Sequence, residues 1–388
     1  MSLDLTRAKE YGRLMDELDG CPLAEQLVGV ARIADPEVRT MVARALASRY
    51  SPDDLPERIG DYKILKKLGS GGYGTVFLGE DREEHGHRPV AVKVYRPRTG
   101  IVTAAERARD EREFLAEAAR LGRCQHEGIV PLLASGVQTF PTGERRPYLV
   151  TAWIDGELIT IAARGQEIER RIRLMVAVCE AVQAAHRCEL AHLDLKPQNI
   201  LVRKTAPVQP VVLDFGIAQS ITAPGTGEHG ACTISYASPE QLDAGVGTPD
   251  FRSDVYALGV VLFEMLTDRY PYRFRAGSTP TPLDFKEAIV APDSRVALKE
   301  FGAPYDARIS DIVARAMAYD PKRRYDSPTS FARALEEWRE ARKSAEEAKS
   351  NRRAAVSPGS TVITQRDYGH VAMGNMIVRH TIERKRRK

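Results

Sequence analysis

The segment His192-Leu193-Asp194-Leu195-Lys196-Pro197-Gln198-Asn199, followed by Asp214-Phe215-Gly216, constrains this chain more than any other feature. It puts a carboxylate able to act as a base, a lysine, an amide and a second carboxylate into one short stretch. These groups have a common use only if the fold gathers them at one site. Transfer of a phosphoryl group asks for such a set. There is little covalent chemistry for the protein to do, and rate comes from positioning and charge neutralisation.

Two upstream runs supply what that chemistry still needs. Leu68-Gly69-Ser70-Gly71-Gly72-Tyr73-Gly74-Thr75-Val76 reads G-x-G-x-x-G-x-V, and Ala91-Val92-Lys93 offers a second lysine. The glycines alone are weak, because a dinucleotide-binding turn has the same spacing. Their flanks decide. Tyr62 to Leu68 reads as a strand before them and Val76 to Gly79 as a strand after, whereas a dinucleotide fold places a helix there. Glycines at these positions let backbone amides approach an anion without a Cβ in the way. The helix-like run from Ala104 to Cys124 holds several glutamates that could partner Lys93.

In this order the runs resemble the protein kinase family, in its bacterial eukaryotic-like Ser/Thr form. The matching signatures are the Gly-rich loop, V-A-I-K, H-R-D-L-x-x-x-N and D-F-G. Ser238-Pro239-Glu240 stands where kinases carry A-P-E, and Thr233 to Gln241 resembles a substrate-docking loop. Asp254 resembles the aspartate that anchors the catalytic loop, and Arg324 the late arginine that pairs with Glu240. The resemblance runs from Ile59 to about Arg342. It implies an α+β, bilobal protein-kinase fold, with a strand-rich small lobe over 59–150 and a helical large lobe over 151–342. A helical extension over 1–58 precedes it, and a charged helix end with a basic tail over 343–388 follows.

The resemblance also implies roles. ATP and Mg²⁺ are the expected cofactors, and Ser/Thr hydroxyls of proteins, including this chain, the expected acceptors. Asp194 would be the base and Lys196 would reach the γ-phosphate, while Asn199 and Asp214 would hold Mg²⁺. Lys93 would position the α- and β-phosphates. Its partner would be Glu117, nine positions before His126, with Glu113 the runner-up. Gly69, Gly71 and Gly74 would cover the phosphates beside Leu68. Val76, Ala91 and Leu201 would sandwich adenine, Thr151 would back the pocket, and Trp153 and Ile154 with Ala152 would form the hinge. Leu121, Leu132, His192 and Phe215 would form an apolar spine, which makes His192 structural rather than a base.

One departure matters. Leu193 stands where many kinases have an arginine that pairs with a phosphorylated activation loop and orders it. The chain is therefore expected to be of non-RD type, with activation-loop phosphorylation not its main switch. A pseudokinase scaffold or partner-binding module is the alternative, and the intact Lys93, Glu117, Asp194, Asn199 and Asp214 argue against it. A small-molecule phosphotransferase is a third reading, against which the docking loop speaks.

Composition bounds the rest. The chain has 388 residues, 43% of them hydrophobic, enough for a two-lobed core. Its five cysteines contain no C-x-x-C pair, which reads as reduced thiols in the cytoplasm. Signal-peptide features are absent from the N-terminus, and no apolar run reaches the ~18 residues that span a bilayer. The longest candidate, Val255 to Leu266, contains Glu264. Net charge is +4, but residues 339–388 hold 13 Lys or Arg against 5 Asp or Glu, so the basic excess belongs to the tail. Its last run, Glu383 to Lys388, fits either contact with nucleic acid or an anionic surface, or a solvated end. Residues 1–58 read as a small helical bundle that packs on the catalytic body or docks a partner, with Asp35 and Pro36 starting one helix.

Overall fold

The structure is a computed structural model. It describes Arg13 and residues 57–71, 74–83, 86–96, 103–140, 143–205, 208–215, 234–274, 279–302 and 304–356. The helices expected before residue 57, Gly216, the activation-loop residues Thr222, Thr226, Cys232 and Thr233, and the basic tail lie outside the described residues.

Alternation builds the first lobe. Strands β1 (Arg58–Ile59), β2 (Tyr62–Gly71), β3 (Gly74–Glu83), β4 (Gly86–Tyr95), β5 (Leu132–Thr139) and β6 (Arg145–Ala152) form one sheet in the order β1-β2-β3-β4-β6-β5. All its pairings are antiparallel. In β4, Val90, Val92 and Val94 are buried against Ile59, Phe77 and Val150. Side chains along a strand alternate between faces, so Ala91 and Lys93 point the other way, to the face that lines the cleft. The alternation that fills the small-lobe core thus aims the lysine.

Between β4 and β5 runs helix α1 (Ala104–Arg123), longer by far than the strand connections around it. Thr103 starts it with a reciprocal capping box to Glu106. Phe114, Ala118 and Leu121, spaced four and three apart, bury one stripe of the helix.

The second lobe is helical around one element. α5 (Phe251–Thr267) begins at Asp250, whose carboxylate accepts from the Arg252 N–H, and is buried on nearly every side. A helix apolar all round belongs in a core. It is the apolar run Val255 to Leu266, and Glu264 is accommodated by the Tyr236 hydroxyl at 2.6 Å. Burial pulls the Glu264 carboxyl up from its ordinary value, opposed by that hydrogen bond and helped by Asp268. Around α5 pack α2 (Ile159–Ala163), α3 (Ile168–Arg187) and α7 (Ala307–Ala316). α4 (Pro239–Leu242) and α6 (Pro282–Val290) contact one another, and α8 (Pro328–Val356) ends the described chain. A small sheet, β7 (Gly156–Leu158), β8 (Ile200–Arg203) and β9 (Pro210–Val212), carries the segment between Asp194 and Asp214. None of the described helices is long and apolar enough to cross a membrane.

The chain divides into two compact units, Met1–Ala341 and Arg342–Lys388. Within the second, the described residues are helical, with an Arg342–Glu346 ion pair at 3.2 Å one turn apart.

The cysteines depart from expectation. Cys124 and Cys188 are joined in a disulfide, where five reduced thiols were predicted. Each is the C-cap residue of its helix, α1 and α3, and the two helix ends meet although 64 residues separate them in sequence. Cys179 is a free, buried thiol, and burial pushes its pKa up.

Candidate active site

The segment from His192 to Asn199 is held by Asp254, which projects from the first turn of α5 and is fully buried. Its carboxylate accepts from the backbone N–H of His192 at 2.8 Å and of Leu193 at 2.7 Å, and meets His186 Nε2 at 2.7 Å. Leu193 sits in the left-handed region at φ 57°. A branched side chain there is disfavoured, and such backbone persists where its surroundings over-determine it. Here the Leu193 N–H is fixed by Asp254, and its carbonyl accepts from Gln241 Nε2 at 2.8 Å.

His192 is structural, as expected. Its Nε2 lies 2.8 Å from the Leu213 carbonyl, which can only accept, so Nε2 carries the proton. Its Nδ1 accepts from the Asp194 N–H at 3.3 Å. Both ring nitrogens are therefore committed. The ring lies against Phe215, centroids 4.8 Å apart, and Leu121, Leu132 and Phe215 pack in the same cluster.

The reactive side chains converge. Lys196 Nζ lies 2.8 Å from Asp194 Oδ2. Asn199 Nδ2 donates to the Asp194 carbonyl at 2.8 Å, with Oδ2 at 3.4 Å. The Leu213 N–H donates to the Asn199 carbonyl at 2.8 Å, which holds Asp214 beside the loop. Asp214 is itself left-handed, at φ 51°.

Lys93 reaches this group from the other lobe and meets Asp214 there. Its Nζ pairs with Asp214 Oδ2 at 3.0 Å, while Glu117 pairs with Arg120 at 3.9 Å along α1. In this structure Lys93 meets Asp214, and Glu117 lies close enough to act on the Tyr95 phenol beside the lysine. The turn after β9 brings the Asp214 carboxylate to the ammonium. Glu113, the other candidate, pairs with Arg109 at 2.8 Å. Burial works to lower the Lys93 pKa, but Asp214 and Tyr95 outweigh it and raise it. Burial likewise works to raise the Asp214 carboxyl, and Lys93 outweighs it and holds the value down. The pair is charged on both sides at neutral pH.

A cleft lies between the lobes. Leu68, Val76, Ala91, Lys93, Thr151, Trp153, Ile154 and Leu201 line it, with Asp214 and Phe215. Gly69 and Gly71 lie in β2 and Gly74 opens β3, across from Gly71. Gly74 is needed by geometry: at φ 154°, a Cβ there would sit 2.1 Å from the Val94 carbonyl oxygen. A Cβ at Gly69 would meet nothing within 4 Å, so that position is open.

The lining suits a nucleotide: apolar walls for a flat ring and Lys93 for its phosphates. Asn199 spends its amide nitrogen on Asp194, so its oxygen is the atom left for a cation. With the Asp214 carboxylate this makes a set of hard oxygens, which suits a divalent ion that keeps water and phosphate oxygens as further ligands. Among the described residues no group of three or more His, Cys, Asp or Glu could hold a metal alone.

Sequence reasoning missed several participants. Val130, Leu149 and Leu213 also line the cleft. Tyr95 lies edge-on to Phe114, centroids 5.1 Å apart, with Lys93 Nζ 5.1 Å from its ring. Burial pushes the Tyr95 phenol up to about 12, opposed by Lys93 and reinforced by Asp214 and Glu117. Its position two residues beyond Lys93, and so on the same strand face, was the available signal. Below the site, Glu240 and Arg324 form a fully buried bidentate pair at 2.6 and 2.7 Å, with Ser253 Oγ donating to the same carboxylate at 2.6 Å.

Residues 62–336 match the protein kinase domain family, and the chain belongs to it. Among its relatives are the serine/threonine-protein kinase PknB of Mycobacterium tuberculosis, 33% identical over 71% of this chain and 42% of the relative, and PrkC of Bacillus subtilis, 29% identical over 69% of this chain and 39% of the relative. The chain thus spans about two fifths of the length of these relatives. The crystal structure of the M. tuberculosis PknI kinase domain matches with a TM-score of 0.51 at 22% identity, over 72% of this chain and 95% of that one, a likeness of fold.

Proposed function

We propose that this chain is a protein Ser/Thr kinase that moves the γ-phosphate of ATP, with Mg²⁺, onto Ser and Thr hydroxyls of proteins and of itself. The observation that carries the reading is the convergence of Asp194, Lys196, Asn199 and Asp214 with Lys93 at the polar end of an apolar cleft. The bound nucleotide and cation would supply the group to be moved and neutralise its charge. Asp194 orients the acceptor hydroxyl and takes its proton. Lys196, already against Asp194, compensates charge on the phosphoryl oxygens. Asn199 and Asp214 hold the cation, and Lys93 the α- and β-phosphates. The Ser/Thr assignment is supported by the relatives' names and by Lys196.

Phosphorylation of the activation loop is not the main switch, because Leu193 offers no guanidinium to a phosphate. Alanine at Thr222 or Thr226 should cost less than about tenfold in rate, and a loss comparable with that of a general base, ~10²-fold or more, would defeat this part of the reading. The reading as a whole is tested by incubating the protein with ATP and Mg²⁺, alone and with a generic basic protein, beside Asp194→Asn. Phosphoserine or phosphothreonine in the wild type only, by mass spectrometry, supports it. Absence of transfer from the wild type, both with and without residues 1–58, contradicts it and favours a scaffold.

A further inference from the structure

We propose that Gln241 is a positioning residue that couples the peptide-docking turn to the catalytic base, a role that rests on the kinase reading above. One side chain makes contacts of two kinds. Its Oε1 accepts from the Ser238 N–H at 3.0 Å and from the Ser238 hydroxyl at 3.1 Å, closing the capping box that starts α4. Its Nε2 donates to the Leu193 carbonyl at 2.8 Å, 48 residues away in sequence. Ser238 is fully buried and Gln241 is half-buried beside it.

The residue that Gln241 grips is the strained one. With φ at 57°, Leu193 orients the peptide unit that leads directly into Asp194. Asp254 secures its N–H, and Gln241 secures its carbonyl. In this chain position 193 has no cationic side chain through which an activation segment could act on the catalytic loop. The main-chain carbonyl, held from α4, provides such a link. A peptide docked along Thr233 to Glu240 presses on the Ser238 turn, and Gln241 transmits that position to Asp194.

The two contacts can be separated. Gln241→Glu keeps an acceptor for Ser238, since Glu serves this capping position as well as Gln, but removes the donor to Leu193. A base displaced on the scale of an ångström loses up to ~10²-fold in rate. Gln241→Glu is therefore expected to lower kcat on a peptide by about 10- to 100-fold. KM for ATP should stay within about twofold because the cleft is untouched, and the melting temperature should fall only by the loss of the one hydrogen bond to the Leu193 carbonyl. Gln241→Leu, which loses both contacts, should add a fall in melting temperature. Wild-type kcat in Gln241→Glu, or a parallel loss of kcat, ATP affinity and melting temperature, overturns the proposal. Amide exchange at Leu193 to Leu195 separates the two levels of the argument. Faster exchange in Gln241→Glu with no transfer by the wild type would keep the link and sink the kinase reading. Unchanged exchange would sink the link whatever the activity.

Discussion

The two halves of the site are built to different standards. On the large-lobe side, every backbone turn of the catalytic segment is tied down. Asp254 holds His192 and Leu193, His192 holds the Leu213 carbonyl, Asn199 holds Asp194, and the Glu240–Arg324 pair lies buried beneath. On the small-lobe side, Lys93 is aimed by strand alternation, but its ion pair crosses to Asp214 in the other lobe. Groups that must keep an ångström-scale geometry sit on buried hydrogen bonds. Lys93, at the cleft wall, is held by its ion pair with Asp214 and by the Tyr95 ring. The catalytic segment is thus preassembled, and the lysine is positioned but not committed.

The strongest attempt to break this contrast is at Asp194. Asp194→Asn should lower kcat by ~10²–10⁴-fold while ATP affinity changes by less than about twofold. Equal losses in both would mean that the residue shapes the cleft instead. Next comes the buried pair. Arg324→Ala leaves Glu240 uncompensated in the core and should cost about 3–5 kcal/mol in urea unfolding. A cost below about 1 kcal/mol, the range of an exposed pair, would show that this half is not rigidly anchored.

A smaller effect sharpens the other side. Glu117→Gln should lower kcat by about tenfold if Lys93 turns to Glu117 during turnover, or ~1.4 kcal/mol of transition-state stabilisation. Unfolding free energy should hardly move, because the present Glu117–Arg120 contact is a partly exposed pair of little worth. Unchanged kcat would show that Asp214 is Lys93's working partner.

The mildest effect is in acid. Arg324 and Ser253 outweigh burial, which works to raise the Glu240 carboxyl, and hold it below its ordinary value of 4.5. A depressed folded value stabilises the protein above the unfolded one and is lost as pH falls through the folded one. Stability should therefore decline below about pH 4.5, more steeply in the wild type than in Glu240→Gln. Parallel acid profiles would remove Glu240 from the account.

What the sequence made legible were local patterns. The flanks of the glycine run separate a β-hairpin from a strand-to-helix turn. The apolar run at Val255 to Leu266 was legible as too short for a bilayer, and the structure buries it in the core. Family likeness added Asp254 and the Glu240–Arg324 pair. Contacts between segments far apart in the chain stayed hidden, because no periodicity encodes them. The partner of Lys93 depends on how the turn after β9 faces β4. Cys124 and Cys188 pair because two helices end at the same place, and Gln241 reaches Leu193 from a turn that looks, in sequence, like docking loop alone.

The most direct test of the contrast is a crystal structure with Mg²⁺ and a non-hydrolysable ATP analogue. The account predicts that Lys93 leaves Asp214 for the phosphates and Glu117, while the hydrogen bonds of Asp254 to His192 and Leu193 and the Glu240–Arg324 pair remain as they are. A Lys93–Asp214 pair that persists with the analogue bound, or a catalytic segment that rebuilds its anchors on binding, would contradict it.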